Sequence, residues 1–350
     1  MNIKTVAQRA KVSIATVSRT INESGKVSPK TAERVRRAIA ELQFYPNSNA
    51  RSLGSGRSSL YGLIVSDITN PFFPELVKSF EDIAAAHGQE VLIANTNYDP
   101  ERMKHCVTRM LQRKVDGVAV MTSEMDDKLI EVFSRRDVPL VFMDYGKSGP
   151  GMSCTRIDYS AGIEMAMQHL TSLGHSRIAF ISGPLRLASA RIRYQAYMDS
   201  TLREHLDADP NLIQEGTHGV EGGKAAMERI FASGTRPTAV LGSNDLTAIG
   251  AMGAIFDRGL RIPQDISVIG YDDIQLSAYT MPPLTTVALP RVEIANAAFR
   301  ALFTARGIDG NGRAQGQEQA FHPKFVIRKS TGPAPSEVES SAAVFEGDAI

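Results

Sequence analysis

Hydrophobic positions divide the chain into a short helical segment and a long segment in which strands and helices alternate. In residues 3–45, apolar residues recur at helical spacing and predict three short helices. Ser13 is a suitable N-cap for the second, over about 14–22, and Ser28-Pro29 is a strong start signal for the third. From Leu60 onward, the apolar runs that predict buried strands are LYGLIV, EVLIAN, GVAVM and PLVFM, then RIAFIS, TAVLGS and ISVIGY, with LTTVAL and AFHPKFVIR as late strands.

Amphipathic stretches between these runs predict helices near 74–87, 100–113, 126–136, 159–173, 189–206, 221–233, 245–259 and 291–306. This alternation predicts an α/β fold with parallel sheets, and two such series predict two similar lobes behind the three-helix head. We place the head at 1–46, a hinge rich in Asn, Ser and Gly at 47–57, and the two-lobed body at 58–330. Residues 331–350, rich in Ser, Ala, Pro and Glu, predict a disordered tail.

The charge is distributed unevenly. The net charge is +1, but residues 1–57 hold eleven basic and three acidic residues, so this segment carries +8 and the remainder carries −7. A basic head on an acidic body indicates a polyanionic partner, because basic patches neutralise phosphates and release counterions. The alternative is a solvated helical surface with no partner.

Other classes of protein lose support. Cys106 and Cys154 lie far apart and form no metal-binding or disulfide pattern, and no stretch approaches the length of a membrane span. The start of the sequence shows no secretory signal, which together with the basic head argues against an exported solute receptor. The motifs of hydrolases, nucleotide-binding enzymes and zinc proteases do not occur in a suitable context. We therefore expect a cytoplasmic protein that is not an enzyme and needs no cofactor or metal.

The string IKTVAQRAKVSIATVSRTIN, from Ile3 to Asn22, is typical of a helix-turn-helix. Small residues let the first helix sit close to the second, whose outer face then presents Ile14, Ala15, Ser18 and Arg19 to base edges. Arginine can hold guanine O6 and N7 together, and isoleucine and alanine suit thymine methyl groups. Two alternatives stay open: Ile14 as a helix-packing residue, and Arg19 as a phosphate contact.

At these residues the sequence resembles the lactose-repressor (LacI) family of bacterial transcription regulators. The resemblance covers about residues 2–330, in the family's order and spacing. It continues through Tyr45-Pro46-Asn47, Ala50-Arg51-Ser52-Leu53, Asn70-Pro71-Phe72-Phe73, Gly117-Val118, Gly174-His175, Arg193, Asn244-Asp245, Gly270-Tyr271-Asp272-Asp273 and Pro283-Leu284-Thr285-Thr286. It implies a body similar to periplasmic binding proteins. It also implies a homodimeric repressor that binds a pseudo-palindromic double-stranded DNA operator under the control of a small-molecule effector.

The resemblance extends the predicted DNA contacts to Thr5, Ser13, Thr16 and Asn22 in the head and to Asn47, Ala50, Arg51 and Leu53 in the hinge. Leu53 matches the leucine that the family wedges between base pairs in the minor groove, and Asn47 matches the N-cap of the hinge helix. The alternative for Leu53 is a linker residue tucked against the body.

Effectors in this family bind between the lobes, at the carboxyl ends of the parallel strands. The residues predicted to bind the effector are Asn70, Phe72, Phe73, Ser189, Arg193, His218, Asn244 and Asp272. Arg193, Asn244 and Asp272 match the family's ligand contacts, and the phenylalanines can stack on a sugar face. Alternatives remain: core packing for the phenylalanines, a turn or helix cap for Asp272, and a surface loop for His218.

Two leucines mark departures from relatives within the family. Leu187 replaces a basic residue of purine-binding members, and Leu289 stands where many sugar-binding members have glutamine. The first departure argues against a nucleobase, and the second removes one expected hydroxyl contact. The resemblance favours a sugar or sugar derivative, meaning a hexose, pentose or sugar acid, as the effector. The alternative is the same DNA-binding role with a nucleoside, a phosphorylated metabolite or a protein co-regulator as the signal.

Overall fold

The computed structural model describes residues 2–22, 25–45, 57–122, 125–144, 146–305 and 315–335. The chain divides into two compact units, Met1–Leu60 and Tyr61–Ile350. The hinge residues Asn47, Ala50, Arg51 and Leu53 lie outside the described residues.

The head contains the three predicted helices, α1 (Ile3–Ala10), α2 (Ile14–Ile21) and α3 (Pro29–Glu41). Both predicted caps are confirmed: the Ser13 hydroxyl accepts a hydrogen bond from the Thr16 amide, and Ser28 caps α3 with proline as its first residue. Lys11, with φ 51°, ends α1 in the left-handed region and so makes the sharp turn into α2.

Small apolar side chains hold the head together. Its buried core consists of Val6, Ala7, Ala10, Val17, Val35 and Ala38. The alanines of α1 allow close approach of the neighbouring helices, so a short segment can bury a core without large aromatic residues. An exposed ion pair between Arg9 and Glu41, at 2.6 Å, links α1 to α3, and such a surface pair contributes about 0–1 kcal/mol.

The body begins with strand β1 and alternates strands with helices. Its described strands are β1 (Leu60–Val65), β2 (Glu90–Asn95), β3 (Gly117–Met121), β4 (Leu140–Asp144), β5 (Met152–Ile157), β6 (Ile178–Ser182), β7 (Ile213–Glu215), β8 (Ala239–Gly242), β9 (Ser267–Asp272), β10 (Thr285–Ala288), β11 (Glu318–Phe321) and β12 (Lys324–Val326). Its described α-helices are α4 (Phe72–Ala86), α5 (Pro100–Gln112), α6 (Asp127–Ser134), α7 (Tyr159–Ser172), α8 (Ala188–Arg203), α9 (Val220–Ala232), α10 (Asp245–Asp257) and α11 (Arg291–Ala305).

These strands form two six-stranded sheets, as the predicted two lobes require. Lobe 1 (60–157 and 291–321) has the order β11-β5-β4-β3-β1-β2, and lobe 2 (159–288 and 322–335) has β12-β10-β9-β8-β6-β7. The registered pairs are parallel except for β10 with β12. The chain crosses between the lobes three times, near 158, 289–290 and 322–323. The predicted α/β fold class is confirmed.

The sequence patterns gave a wrong prediction for strands β11 and β12 and no prediction for β5 and β7. AFHPKFVIR is not one strand: β11 and β12 share it but belong to different lobes, and the chain crosses between them. Strands β5 and β7 were not predicted, since MSCTRI and IQE hold too few consecutive apolar residues to give a strand signal.

The first part of the predicted tail packs on lobe 2. Thr331 meets His169 Nε2 at 3.0 Å, the Gly332 carbonyl lies 3.0 Å from His175 Nε2, and the Ala334 amide donates to the Leu173 carbonyl. The predicted boundary at 331 is therefore too early, because these polar contacts fix the chain through residue 334. Residues 336–350 lie outside the described part.

Candidate functional site

The second helix of the head presents an exposed polar surface. Ser13, Ile14, Ala15, Arg19 and Asn22 are exposed, and Thr5, Thr16 and Ser18 are half-buried. Ile14 is 44% exposed and lies outside the head's core, so the interpretation of Ile14 as a packing residue is wrong. Arg19 projects from the same helix, and its side chain packs beside Gly25.

Several of these polar side chains hydrogen-bond within the head. The Ser13 and Thr16 hydroxyls lie 2.9 Å apart, Asn22 Nδ2 donates to Ser18 Oγ at 3.3 Å, and the Thr5 amide donates to Asn2 Oδ1. These bonds fix the start of α1 and both ends of α2. The surface is therefore formed before any partner arrives.

A cleft of about 550 Å³, partly open to solvent, lies between the lobes at the carboxyl ends of the strands. All eight residues predicted to bind the effector line it. The full lining is Ser66, Asn70, Phe72, Phe73, Tyr98, Met121, Thr122, Asp144, Tyr159, Leu187, Ser189, Arg193, His218, Asn244, Asp272 and Leu289. A cleft at this edge of two parallel sheets is where open α/β proteins bind ligands.

Arg193, on α8, is the only arginine in that lining and is buried. Its Nη1 donates to the Ser243 carbonyl at 2.8 Å and its Nε to the Ser189 carbonyl at 3.2 Å. The guanidinium lies 4.6 Å from the centre of the Tyr159 ring and 5.2 Å from that of Tyr271. These contacts hold the cation in one place and replace part of its lost hydration.

Asp144 and Asp272 bring a carboxylate to the cleft from each lobe. They end β4 and β9, with φ of 117° and 109°, a backbone region that side chains other than glycine rarely adopt. Such strain at the mouth of a cleft is typical of functional sites. Burial raises the pKa of Asp144 to about 6 and that of Asp272 to about 7, although Arg193, whose Nη1 lies 4.0 Å from Asp272 Oδ1, opposes both shifts. Asp272 is a strand residue and caps no helix in the described chain.

His218 is buried, so its interpretation as a surface-loop residue is wrong. Its Nε2 is buried without a hydrogen-bond partner, and burial lowers the pKa to about 3, which keeps the ring neutral. Gly183 makes room for the ring, because a Cβ there would collide with it. Asn244 caps α10 through the Thr247 amide and donates to the His218 carbonyl at 2.9 Å, so it positions this histidine.

Phe72 and Phe73 form the apolar side of the cleft. Their rings meet edge to face at 5.3 Å, and both are buried in the core of the body while lining the cleft, so core packing and ligand contact are not exclusive. Asn70 Oδ1 accepts the Phe72 amide at 3.1 Å and so fixes the start of α4. Leu187 and Leu289 also lie here, which puts apolar side chains at both positions of departure.

Sequence reasoning missed several lining residues, of which Asp144 is the most informative. It is the first polar residue after the predicted strand PLVFM, as Asp272 is after ISVIGY, so the repeat of the lobes was the available signal. The others, Ser66, Tyr98, Met121, Thr122 and Tyr159, carry no such pattern.

The described residues include no group of three or more His, Cys, Asp or Glu side chains that could hold a metal ion. Within the same part of the chain, none of the helices is both long and apolar enough to cross a bilayer.

Two protein-family models match the sequence. Residues 2–47 match bacterial regulatory proteins of the lacI family, and residues 167–331 match the periplasmic binding protein-like domain. The HTH-type transcriptional repressor PurR of Mannheimia succiniciproducens is 34% identical over 331 residues, which cover 94% of this chain and 98% of that protein.

Two solved structures match most of the chain. The Lac repressor dimer bound to operator and the anti-inducer ONPF is 30% identical with a TM-score of 0.82, over 95% of this chain and 99% of that one. The transcriptional regulator CelR in complex with cellobiose is 28% identical with a TM-score of 0.69, over 94% and 99%.

Proposed function

The chain belongs to the LacI family of bacterial regulatory proteins and is a DNA-binding transcriptional repressor, and we propose that a neutral sugar bound in the cleft of its body controls it. Its relatives are repressors, and it is a regulator and not an enzyme.

The observation that carries this proposal is a pair of carboxyl groups, the half-buried Asp144 and the buried Asp272, which line the cleft with one arginine. With pKa values of about 6 and 7, the two carboxyl groups together carry at neutral pH at least as much negative charge as Arg193 carries positive charge. The cleft therefore has no excess positive charge to attract an anionic ligand, such as a sugar acid or a phosphorylated metabolite. A neutral polyol can instead donate hydroxyl hydrogens to the carboxylates and accept from Arg193, leaving no buried charge without a partner.

Two further features support a sugar. The unpartnered Nε2 of His218, in a ring held neutral by burial, can accept a hydrogen bond from a ligand hydroxyl or donate one to a hydroxyl oxygen, according to tautomer. Phe72 and Phe73 offer apolar rings to the C–H face of a pyranose or furanose. The solved relative CelR carries cellobiose, which agrees with this ligand class.

A nucleoside or nucleobase is the second candidate effector. It is favoured by the likeness to repressors named PurR over 94% of the chain. The phenylalanine rings could stack on a base, but Leu187 is apolar where purine-binding members of the family have a basic residue.

On the DNA side, we propose that α2 enters the major groove, with Arg19 on a guanine and Ile14 beside a thymine methyl group. One head reads one half-site, so a homodimer on a pseudo-palindrome is expected, acting in the cytoplasm where operator DNA lies. The exposed apolar side chains of Leu276, Tyr279 and Met281 on lobe 2 supply a candidate dimer surface.

Calorimetry tests the effector class. Three classes of ligand are titrated into the full-length protein. They are neutral hexoses, pentoses and disaccharides; the matching sugar acids; and nucleosides and nucleobases. We expect at least one neutral sugar to bind. The Asp144→Asn substitution should weaken the binding of that sugar by about tenfold, as for loss of a hydrogen bond to a charged group. Binding of a nucleobase alone would favour the second candidate.

A pair of charge-matched variants tests the head. Arg19→Ala is expected to weaken operator binding by about 1–3 kcal/mol per half-site and to relax the preference at one base pair. Arg34→Ala removes the same charge from an exposed position on α3 and should not alter base preference. An equal loss on operator and random DNA for Arg19→Ala would make Arg19 a phosphate contact.

A further inference from the structure

A polar contact joins the two lobes beside the cleft. Glu75, in the first turn of α4 on lobe 1, accepts a hydrogen bond from the Gln275 backbone amide of lobe 2 at 3.1 Å. Its second carboxylate oxygen pairs with Arg291 Nη2 at 2.8 Å. Both side chains are mostly buried, with 33% of Glu75 and 16% of Arg291 exposed, so solvent screens this pair less than a surface pair.

Arg291 extends the contact to the strand end that carries Asp272. It is the first residue of α11, directly after a crossover between the lobes. Its Nη1 donates to the Asp272 carbonyl, and its Nη2 donates to the Asp273 carbonyl at 2.8 Å. One guanidinium therefore binds two carbonyls of lobe 2 and one carboxylate of lobe 1, a use of its planar fork that lysine cannot reproduce.

The loop at 272–277 is otherwise fastened to lobe 2. Arg328 Nη2 pairs with the Asp273 carboxylate at 2.6 Å, and the Ile274 amide donates to Asp245 Oδ2 at 2.8 Å. The loop must therefore move with lobe 2 as a rigid piece. When the lobes separate, the bonds that must break are those that join lobe 1 to this loop: the bond from the Gln275 amide to Glu75, and the bonds from Arg291 to the Asp272 and Asp273 carbonyls.

We propose that Glu75 and Arg291 form a latch that sets how far the two lobes are closed before any effector binds. The latch is connected to the cleft at two points. Asp272, whose carbonyl Arg291 holds, lines the cleft, and so does Phe72, whose ring centre lies 5.9 Å from the Arg291 guanidinium.

The latch has a consequence for ligand binding that rests on the proposed effector role of the cleft. A ligand that contacts both lobes binds the closed form, and its apparent Kd is the intrinsic Kd divided by the closed fraction. Breaking the latch lowers that fraction. Glu75 and Arg291 are thus positioning residues that tune sensitivity without touching the ligand.

Lobe separation in the ligand-free, full-length protein tests the latch. Spin labels at Arg102→Cys and Glu221→Cys, exposed residues in the first turns of α5 and α9, report the distance between the lobes; Cys106→Ala and Cys154→Ala remove the native thiols. We expect Glu75→Ala to raise the ratio of open to closed protein about tenfold, as for loss of charged hydrogen bonds. Arg291→Lys should shift the distances in the same direction by less.

The control is Glu131→Ala, which breaks an exposed pair with Arg135 at the same distance of 2.8 Å in the same lobe. The distance between the spin labels in Glu131→Ala should have the same distribution as in the protein with an unsubstituted latch. Glu75→Gln keeps an acceptor for Gln275 and should lie between Glu75→Ala and the unsubstituted protein. Unchanged distances for Glu75→Ala and Arg291→Lys in protein with native circular dichroism would overturn the latch. Because no effector is present, that outcome is separate from failure of the effector proposal.

Discussion

Lobe 2 meets the cleft mainly with polar side chains that are bonded to their own lobe, whereas lobe 1 adds two phenylalanine rings to its polar lining. In lobe 2, Arg193 is held by two carbonyls and Asn244 holds the His218 backbone. In lobe 1, Phe72 and Phe73 pack mainly against each other and the core.

This difference assigns the lobes different tasks. Preorganised polar groups fix the orientation of a ligand and reject those that lack matching hydroxyls. Apolar rings exclude water and contribute affinity, but they fix the orientation of a ligand less strictly. We expect lobe 2 to determine which ligand binds and lobe 1 to determine how tightly it is covered.

The largest effect is expected at the centre of lobe 2. Arg193→Met leaves the Ser243 carbonyl and the Asp272 carboxylate without a partner, so the free energy of unfolding should fall by about 3–5 kcal/mol and effector binding should be lost. Chemical denaturation and calorimetry measure the two losses. Arg203→Met on the same helix, 46% exposed, is the control and should cost below about 1 kcal/mol. Equal losses for the two variants would mean that burial of Arg193 carries no special role.

The pH dependence of the free energy of unfolding tests whether the pKa of Asp272 is raised. The pKa of Asp272 rises from 3.8 to about 7, so between these values the folded state binds more protons than the unfolded state. The stabilising contribution of Asp272 to the free energy of unfolding is therefore present at low pH and is lost as the pH rises toward 7. Relative to the unsubstituted protein, Asp272→Asn should gain about 2–3 kcal/mol between pH 5 and pH 8. Denaturation curves at both pH values measure this gain, and a constant difference would contradict the raised pKa.

A smaller effect is expected in lobe 1. Phe72→Leu keeps an apolar side chain but removes the stacking face, so effector affinity should fall by about 1 kcal/mol with little change in ligand selectivity. Phe80→Leu, on the same helix but in the core away from the cleft, is the control and should leave affinity unchanged. If the Phe72→Leu variant binds a different set of sugars, lobe 1 also determines ligand selectivity.

Most of the fold could be predicted from the sequence because parallel strands buried on both faces appear as unbroken apolar runs. LYGLIV, EVLIAN and GVAVM begin and end where β1, β2 and β3 do. Strands β5 and β7 were not predicted because polar residues interrupt their apolar ones; β7 lies at the edge of its sheet, whereas β5 lies between β11 and β4. The separation of β11 from β12 could not be predicted, because a crossover between lobes leaves no local pattern.

The lining of the cleft was partly predictable because strand ends repeat along the chain, which points to Asp272 directly and to Asp144 by analogy. The burial of His218 was not, because it depends on Gly183 and Asn244, which are distant in sequence. The hydrogen bond from the Gln275 amide to Glu75 spans 200 positions and uses a backbone amide, which no side-chain pattern reveals.

The most direct test of the account is whether the cleft controls DNA binding. Operator affinity is measured by fluorescence anisotropy at one salt concentration, with and without the sugar that calorimetry identifies, for the unsubstituted protein and for Asp272→Asn. The account predicts that the sugar shifts the operator Kd of the unsubstituted protein by at least about fivefold, as for a typical allosteric coupling. It predicts no shift for Asp272→Asn, whose operator Kd without sugar should be unchanged. An equal shift in both proteins, or none in either, would contradict the role of this cleft in regulation.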